Sequence, residues 1–248
     1  MEERPRRLAA LMATALVGLA TACGSGSGGP VPPTVTPGSV LDSAASSSAA
    51  SSSAASTPAA TGSTSAPPAG PVHATFIGDS VAQSLHYLPA ARRMLGRGME
   101  MRFDLAVCRR LVQRSCTVLG ETPPTALEVV RHSGDRLGSV LIVDVGYNDA
   151  SSTYRDDMEA VLRAARRAGV RGVVWVTLRE AGGSYRWINH VIRSEAAAAP
   201  NVLVADWNAA SAGKPWFKPD GMHLNDQGAE HLATFLRPYV LQAAGKTS

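Results

Sequence analysis

A chain of 248 residues that is 45% hydrophobic can fill one sizeable core but not comfortably two, so a single folded domain is the expectation. The formal net charge of +4 arises from basic residues scattered among acidic ones. Without long Lys/Arg runs or interleaved aromatics to track a phosphate backbone, that charge argues against a nucleic-acid partner.

At the amino terminus, Arg4, Arg6 and Arg7 precede an apolar stretch over 8–20 that is short for a membrane span, the pattern of a signal peptide over 1–23. Its end, Leu19-Ala20-Thr21-Ala22-Cys23, resembles a bacterial lipobox, with Ala20 where a large aliphatic residue usually stands. Lipidation of Cys23 is the expectation, and ordinary cleavage with a free Cys23 is the alternative. A diacylated Cys23 would hold the protein on the outer face of the cell membrane rather than across it. Residues 24–71 are almost entirely Ser, Ala, Gly, Pro and Thr, too poor in apolar bulk to offset the entropy of ordering them. They read as a disordered tether to a domain over 72–243.

From residue 72 onward, strands and helices alternate. Residues 73–77 are a short apolar run ending at Gly78, and Val81, Leu85 and Leu88 then share one helical face, which predicts strand, tight turn and helix. A second strand is predicted over 101–107, and Thr122 followed by Pro123 reads as the cap and first turn of a helix through Arg131. The clearest buried strand covers 139–145. Met158, Val161, Leu162 and Ala165 form an apolar helical stripe ending at Gly169, before a fourth strand over 172–178. A helix over 184–199, a strand over 202–205, a Trp/Pro-rich loop and a helix over 224–240 complete the chain. This alternation predicts an α/β fold: a parallel sheet covered on both faces by helices, with ligand chemistry at the carboxyl ends of the strands.

Three segments at those strand or loop ends carry residues suited to acyl transfer: Gly78-Asp79-Ser80-Val81, Gly146-Tyr147-Asn148-Asp149 and Asp220-Gly221-Met222-His223. A serine hydroxyl becomes a competent nucleophile when a base removes its proton, and a strand-to-helix turn both exposes Ser80 and aims backbone N–H groups at developing charge. His223 is suited to accept that proton and pass it to a leaving group, with Asp220 fixing its tautomer. The side-chain amide of Asn148, at a strand end, is suited to meet a tetrahedral oxyanion. Cys108 and Cys116, close together in an exported chain, are expected to form a disulfide, since a metal site would need more His or Cys nearby.

Together these blocks resemble those of the SGNH/GDSL hydrolases. The resemblance covers 72–239 and implies a flavodoxin-like three-layer α/β/α sandwich. It implies Ser80, Asp220 and His223 as catalytic residues, the Ser80 N–H and Asn148 as oxyanion-hole donors, and Asp79 as a shaper of the turn. It also implies acyl-enzyme chemistry on a carbohydrate or lipid ester, with no cofactor or metal. Together with the signal-peptide pattern it describes a monomeric, envelope-located esterase or O-acyltransferase. One block departs from the pattern: where the family carries a Gly after the second strand, this chain reads Ala106-Val107-Cys108-Arg109-Arg110-Leu111. A backbone N–H of this cysteine loop, or positive charge from Arg109 or Arg110, is the expected substitute. A non-catalytic or weakly active envelope-binding lipoprotein on the same fold is the alternative. Arg109, Arg179 and Trp216 are further candidates for substrate contact. Arg179 would meet an anionic group and Trp216, with Phe217, would line an acyl or sugar pocket. The competing assignment for each is ordinary packing.

Overall fold

The computed structural model describes residues 70–182 and 184–246. The expected signal peptide, the lipidation at Cys23 and nearly all of the tether fall on residues 1–69, outside the described residues.

Five strands, β1 (Val72–Gly78), β2 (Met99–Leu105), β3 (Val140–Asp144), β4 (Gly172–Val176) and β5 (Val202–Ala205), form one parallel sheet in the order β2-β1-β3-β4-β5. Every residue of β3 and β4 is buried, as a parallel sheet covered on both faces requires. Helices α1 (Ser84–Tyr87), α2 (Pro89–Gly96) and α7 (Asp226–Ala243) pack together, while α3 (Ala126–Ser133), α4 (Tyr154–Arg167) and α5 (Tyr185–Ala197) pack in succession. A short helix, α6 (Trp207–Ala210), follows β5. The architecture is a three-layer α/β/α sandwich.

The strand order places the chemistry. From β1 the chain crosses outward to β2, then returns to build β3, β4 and β5 on the other side of β1. Connections therefore diverge between β1 and β3, the topological switch point at which open α/β sheets bind ligands. Just beyond β3, the buried Tyr154 hydroxyl donates to Val145 O at 2.7 Å and accepts from Trp175 Nε1 at 3.1 Å, so both of these core groups are paired.

Local structure departs from the sequence expectations in several places, beginning with β2, which spans Met99–Leu105 where the sequence pattern predicts 101–107. The helix after Ser80 is broken into α1 and α2, because Pro89 drives Leu88 out of helical geometry, to φ −117° and ψ 87°. The cap of α3 is Thr125, not Thr122: Thr125 Oγ1 accepts from Glu128 N, and the Glu128 carboxylate accepts from Thr125 N. Such a reciprocal box stabilises a helix start by about 1 kcal/mol, and Thr122 has no acidic partner three residues on. The Trp/Pro-rich loop contains α6, capped by the Asp206 carboxylate, which accepts from Ala209 N at 3.1 Å.

Candidate active site

Ser80 lies two residues beyond the end of β1. Gly78 is in register with Leu105 on one side and Asp144 on the other. A Cβ at Gly78 would collide with Ala82 and come within 2.9 Å of Leu105, so its absence lets the chain fold back tightly. The fully buried Asp79 then ties two segments together: Oδ1 accepts from Val81 N at 3.0 Å, and Oδ2 accepts from Gly146 N and Tyr147 N, each at 3.2 Å. Burial raises its carboxyl to about 6, against the pull of those three N–H bonds. Gln83 N donates to Asp79 O at 3.0 Å, closing a helical turn around the nucleophile. Among the described residues the Ser80 N–H has no acceptor.

His223 arrives on a tight hairpin. Phe217 and Leu224 pair as an antiparallel bridge, Lys218 N donates to His223 O at 2.7 Å, and Asn225 N donates to Trp216 O at 3.1 Å. At its tip Asp220 Oδ1 accepts from Met222 N and His223 N, both at 2.9 Å, so the carboxylate shapes the turn that presents the imidazole. The other oxygen, Oδ2, lies 2.9 Å from His223 Nδ1, and His223 Nε2 lies 3.1 Å from Ser80 Oγ. The Met222 and His223 backbone N–H bonds, with help from the imidazole, lower the Asp220 carboxyl to about 2 despite some desolvation. An ionised carboxylate can only accept, so it makes Nδ1 the N–H donor and leaves the Nε2 lone pair toward the serine hydroxyl.

Asn148 follows β3, half-buried, and its Nδ2 donates to Arg109 O at 3.2 Å. A primary amide carries two N–H bonds, so one remains for a ligand. The neighbouring Asp149 Oδ1 accepts from Leu111 N at 2.9 Å, docking the cysteine loop a second time. Burial raises this carboxyl to about 7. Cys108 and Cys116 are joined by a disulfide with Cα atoms 5.7 Å apart. Cys108 itself has φ 61°, a left-handed conformation that glycine adopts most readily. Among the described residues its N–H has no acceptor.

Each of the three candidate substrate contacts has partners within the protein. Arg109 is 1% exposed, and its guanidinium donates to Pro124 O, Gly78 O, Asp104 O and the Asp104 carboxylate. It fastens the cysteine loop to the ends of β1 and β2 and offers substrate nothing. The Trp216 ring is stacked on His231 at 4.0 Å and on Trp207 at 5.6 Å, which makes it a packing residue. Arg179, half-buried, donates through Nε to Gly221 O and through Nη1 to Ser211 O and lies over the Phe217 ring. Sequence reasoning missed these roles because the partners are mostly backbone carbonyls, which leave no mark in the residue pattern. It also missed the reach of Asp79 to Gly146 and Tyr147, for which the adjoining β1 and β3 carboxyl ends were the available signal.

No family model matches the chain, and no curated protein sequence matches it either. Among solved structures it is similar to the C-terminal catalytic domain of peptidoglycan O-acetyltransferase A from Streptococcus pneumoniae, determined with a methylsulfonyl adduct. The TM-score is 0.53 at 20% identity, covering 72% of this chain and 99% of that one. It is also similar to a carbohydrate acetylesterase family member from Sinorhizobium meliloti, with a TM-score of 0.52 at 14% identity, covering 69% of this chain and 99% of that one. At these identities the likeness is one of fold, and the fold of this chain is that of the SGNH hydrolases.

Proposed function

We propose that the domain is a serine-dependent acyl esterase or acyltransferase acting on an ester of a cell-envelope carbohydrate or lipid. The observation that carries this reading is the continuous relay from Asp220 through His223 to Ser80, with contacts of 2.9 and 3.1 Å. Three groups in the segments that follow β1, β2 and β3 have N–H bonds to spare among the described residues: Ser80 N, Cys108 N and Asn148 Nδ2.

In the reaction, His223 Nε2 takes the hydroxyl proton as Ser80 Oγ bonds to the ester carbonyl carbon, and Asp220 stabilises the imidazolium that results. Negative charge collects on the former carbonyl oxygen, where the three N–H groups meet it. Collapse breaks the bond to the leaving oxygen, which receives the proton from Nε2 and departs as an alcohol. An acyl-Ser80 remains. A second hydroxyl compound, deprotonated by His223 Nε2, attacks the acyl carbon, the bond to Ser80 Oγ breaks, and Oγ takes the proton back from Nε2. Water as that acceptor makes the enzyme an esterase, and a sugar hydroxyl makes it a transferase.

The left-handed Cys108 supports catalysis over a purely binding role. The family's Gly is missing from this loop, yet the backbone still adopts the conformation that a glycine would favour, with its N–H unspent. Export and lipidation at Cys23 belong to the proposal on the strength of the amino-terminal sequence pattern alone. They would place the domain, on its tether, among O-acylated envelope polymers. Hydrolysis of p-nitrophenyl acetate, with and without a sugar acceptor, tests the reading. The wild type should release p-nitrophenol and the Ser80→Ala variant should not. Equal rates for the two would overturn it, and an acetylated sugar among the products would select the transferase.

A further inference from the structure

We propose that Arg179 is a positioning residue that holds the Asp220/His223 hairpin in register with Ser80, an inference that rests on the hydrolase reading above. The hairpin tip is open to solvent: the side chains of Asp220 and His223 are 49% and 37% exposed. Burial in the core does not by itself fix such a tip, yet proton transfer from Ser80 depends on a 3.1 Å contact at its far side.

The arginine stands on a rigid base just beyond β4. The buried Asn189 amide accepts from Leu178 N and donates to Leu178 O, each at 2.7 Å. The Tyr147 hydroxyl accepts from Arg179 N at 2.7 Å, and Asn208 Oδ1 accepts from Glu180 N at 2.9 Å. Three successive residues are thus fastened to β3's following segment, to α5 and to α6.

From that base one side chain grips the hairpin at two points and the end of α6 at a third. Nε donates to Gly221 O at 2.9 Å, Nη1 donates to Ser211 O at 3.3 Å, and the guanidinium carbon sits 4.1 Å from the centre of the Phe217 ring. Gly221 lies between Asp220 and Met222 with φ 70°, a conformation that suits glycine and is part of the turn geometry Arg179 holds. Phe217 is the residue whose bridge to Leu224 closes the hairpin. The planar fork matters here: a guanidinium can donate to two carbonyls while its face stacks on a ring, whereas an ammonium cannot satisfy all three contacts. Since Tyr147 adjoins Asn148, the same arginine links the Asn148 segment to the histidine hairpin.

The Arg179→Ala and Arg179→Lys variants test this, read in two ways. Deuterium uptake over 217–223 should rise in Arg179→Ala while uptake over β3 stays at the wild-type level, and unchanged uptake over 217–223 would overturn the proposal. With p-nitrophenyl acetate, a neutral ester, kcat should fall about tenfold to a hundredfold at unchanged KM in both variants, as misplacement of about 1 Å predicts. If hydrolysis of the neutral ester is normal and only an anionic ester shows a raised KM, Arg179 is a substrate contact and the proposal fails. If the wild type hydrolyses no ester and Ser80 takes no fluorophosphonate, the hydrolase reading fails instead. Deuterium uptake then still decides whether Arg179 holds the hairpin.

Discussion

Replacing Asn148 by Ala separates a structural from a catalytic contribution, because the two N–H bonds of its amide do different things. One donates to Arg109 O at 3.2 Å and helps to dock the cysteine loop. Its loss should cost about 1 kcal/mol of stability, or roughly 2–4 °C in Tm for a domain of this size. In the proposed mechanism the other meets an oxyanion that exists only after Ser80 has attacked, so it should stabilise the transition state and not bound substrate. Removing one such donor typically costs ~3–4 kcal/mol of activation free energy, a fall in kcat of about a hundredfold to a thousandfold. KM should stay near the wild-type value. Steady-state kinetics on p-nitrophenyl acetate and a thermal melt measure the two effects on one preparation. A variant with the small loss of Tm but near-normal kcat would show that Asn148 only braces the loop, and the oxyanion would have to be assigned to other donors.

The cysteine loop and the buried carboxylates give further tests. Cys108 and Cys116 are eight residues apart, so Cys116→Ser should cost roughly 2–3 kcal/mol by the chain-entropy estimate. It should also lower kcat at constant KM as Cys108 leaves its left-handed conformation, whereas a variant that is less stable but fully active would remove Cys108 N from the oxyanion hole. Asp149 is raised to about 7 from 3.8 by burial, so the folded state binds its proton more tightly than the unfolded chain. Its contribution to stability is greatest below 3.8 and declines as pH rises toward about 7, and Asp79 adds a similar decline up to about 6. Asp149→Asn should therefore flatten the fall in urea midpoint across that window, and parallel profiles for variant and wild type would contradict the assignment.

The layered α/β fold was legible because each strand announces itself. The Val140–Asp144 strand is an unbroken buried run, and the stripe of Met158, Val161, Leu162 and Ala165 faces inward on α4. Boundaries were harder where local chemistry competes: Thr122-Pro123 imitates a helix start, while Glu128 selects Thr125. The residues now gathered around Ser80 could be read because each sits at a strand end or hairpin whose spacing is local, as with Asp220 and His223. Arg109 and Arg179 could not be read in this way. Their fates are decided by carbonyls of Gly78, Pro124, Ser211 and Gly221, brought to them by the crossover between β1 and β3 and by the folding back of the hairpin. A positive side chain near a crevice looks the same in sequence whether it faces substrate or a peptide carbonyl.

The central claim is that Ser80 is the nucleophile that carries the acyl group, and intact-mass analysis after reaction with a fluorophosphonate tests it most directly. The wild type should gain a single adduct that peptide mapping places on Ser80, the Ser80→Ala variant should gain none, and His223→Ala should react far more slowly. Stoichiometric labelling of Ser80→Ala, or an active wild type that remains unmodified at Ser80, would contradict the account.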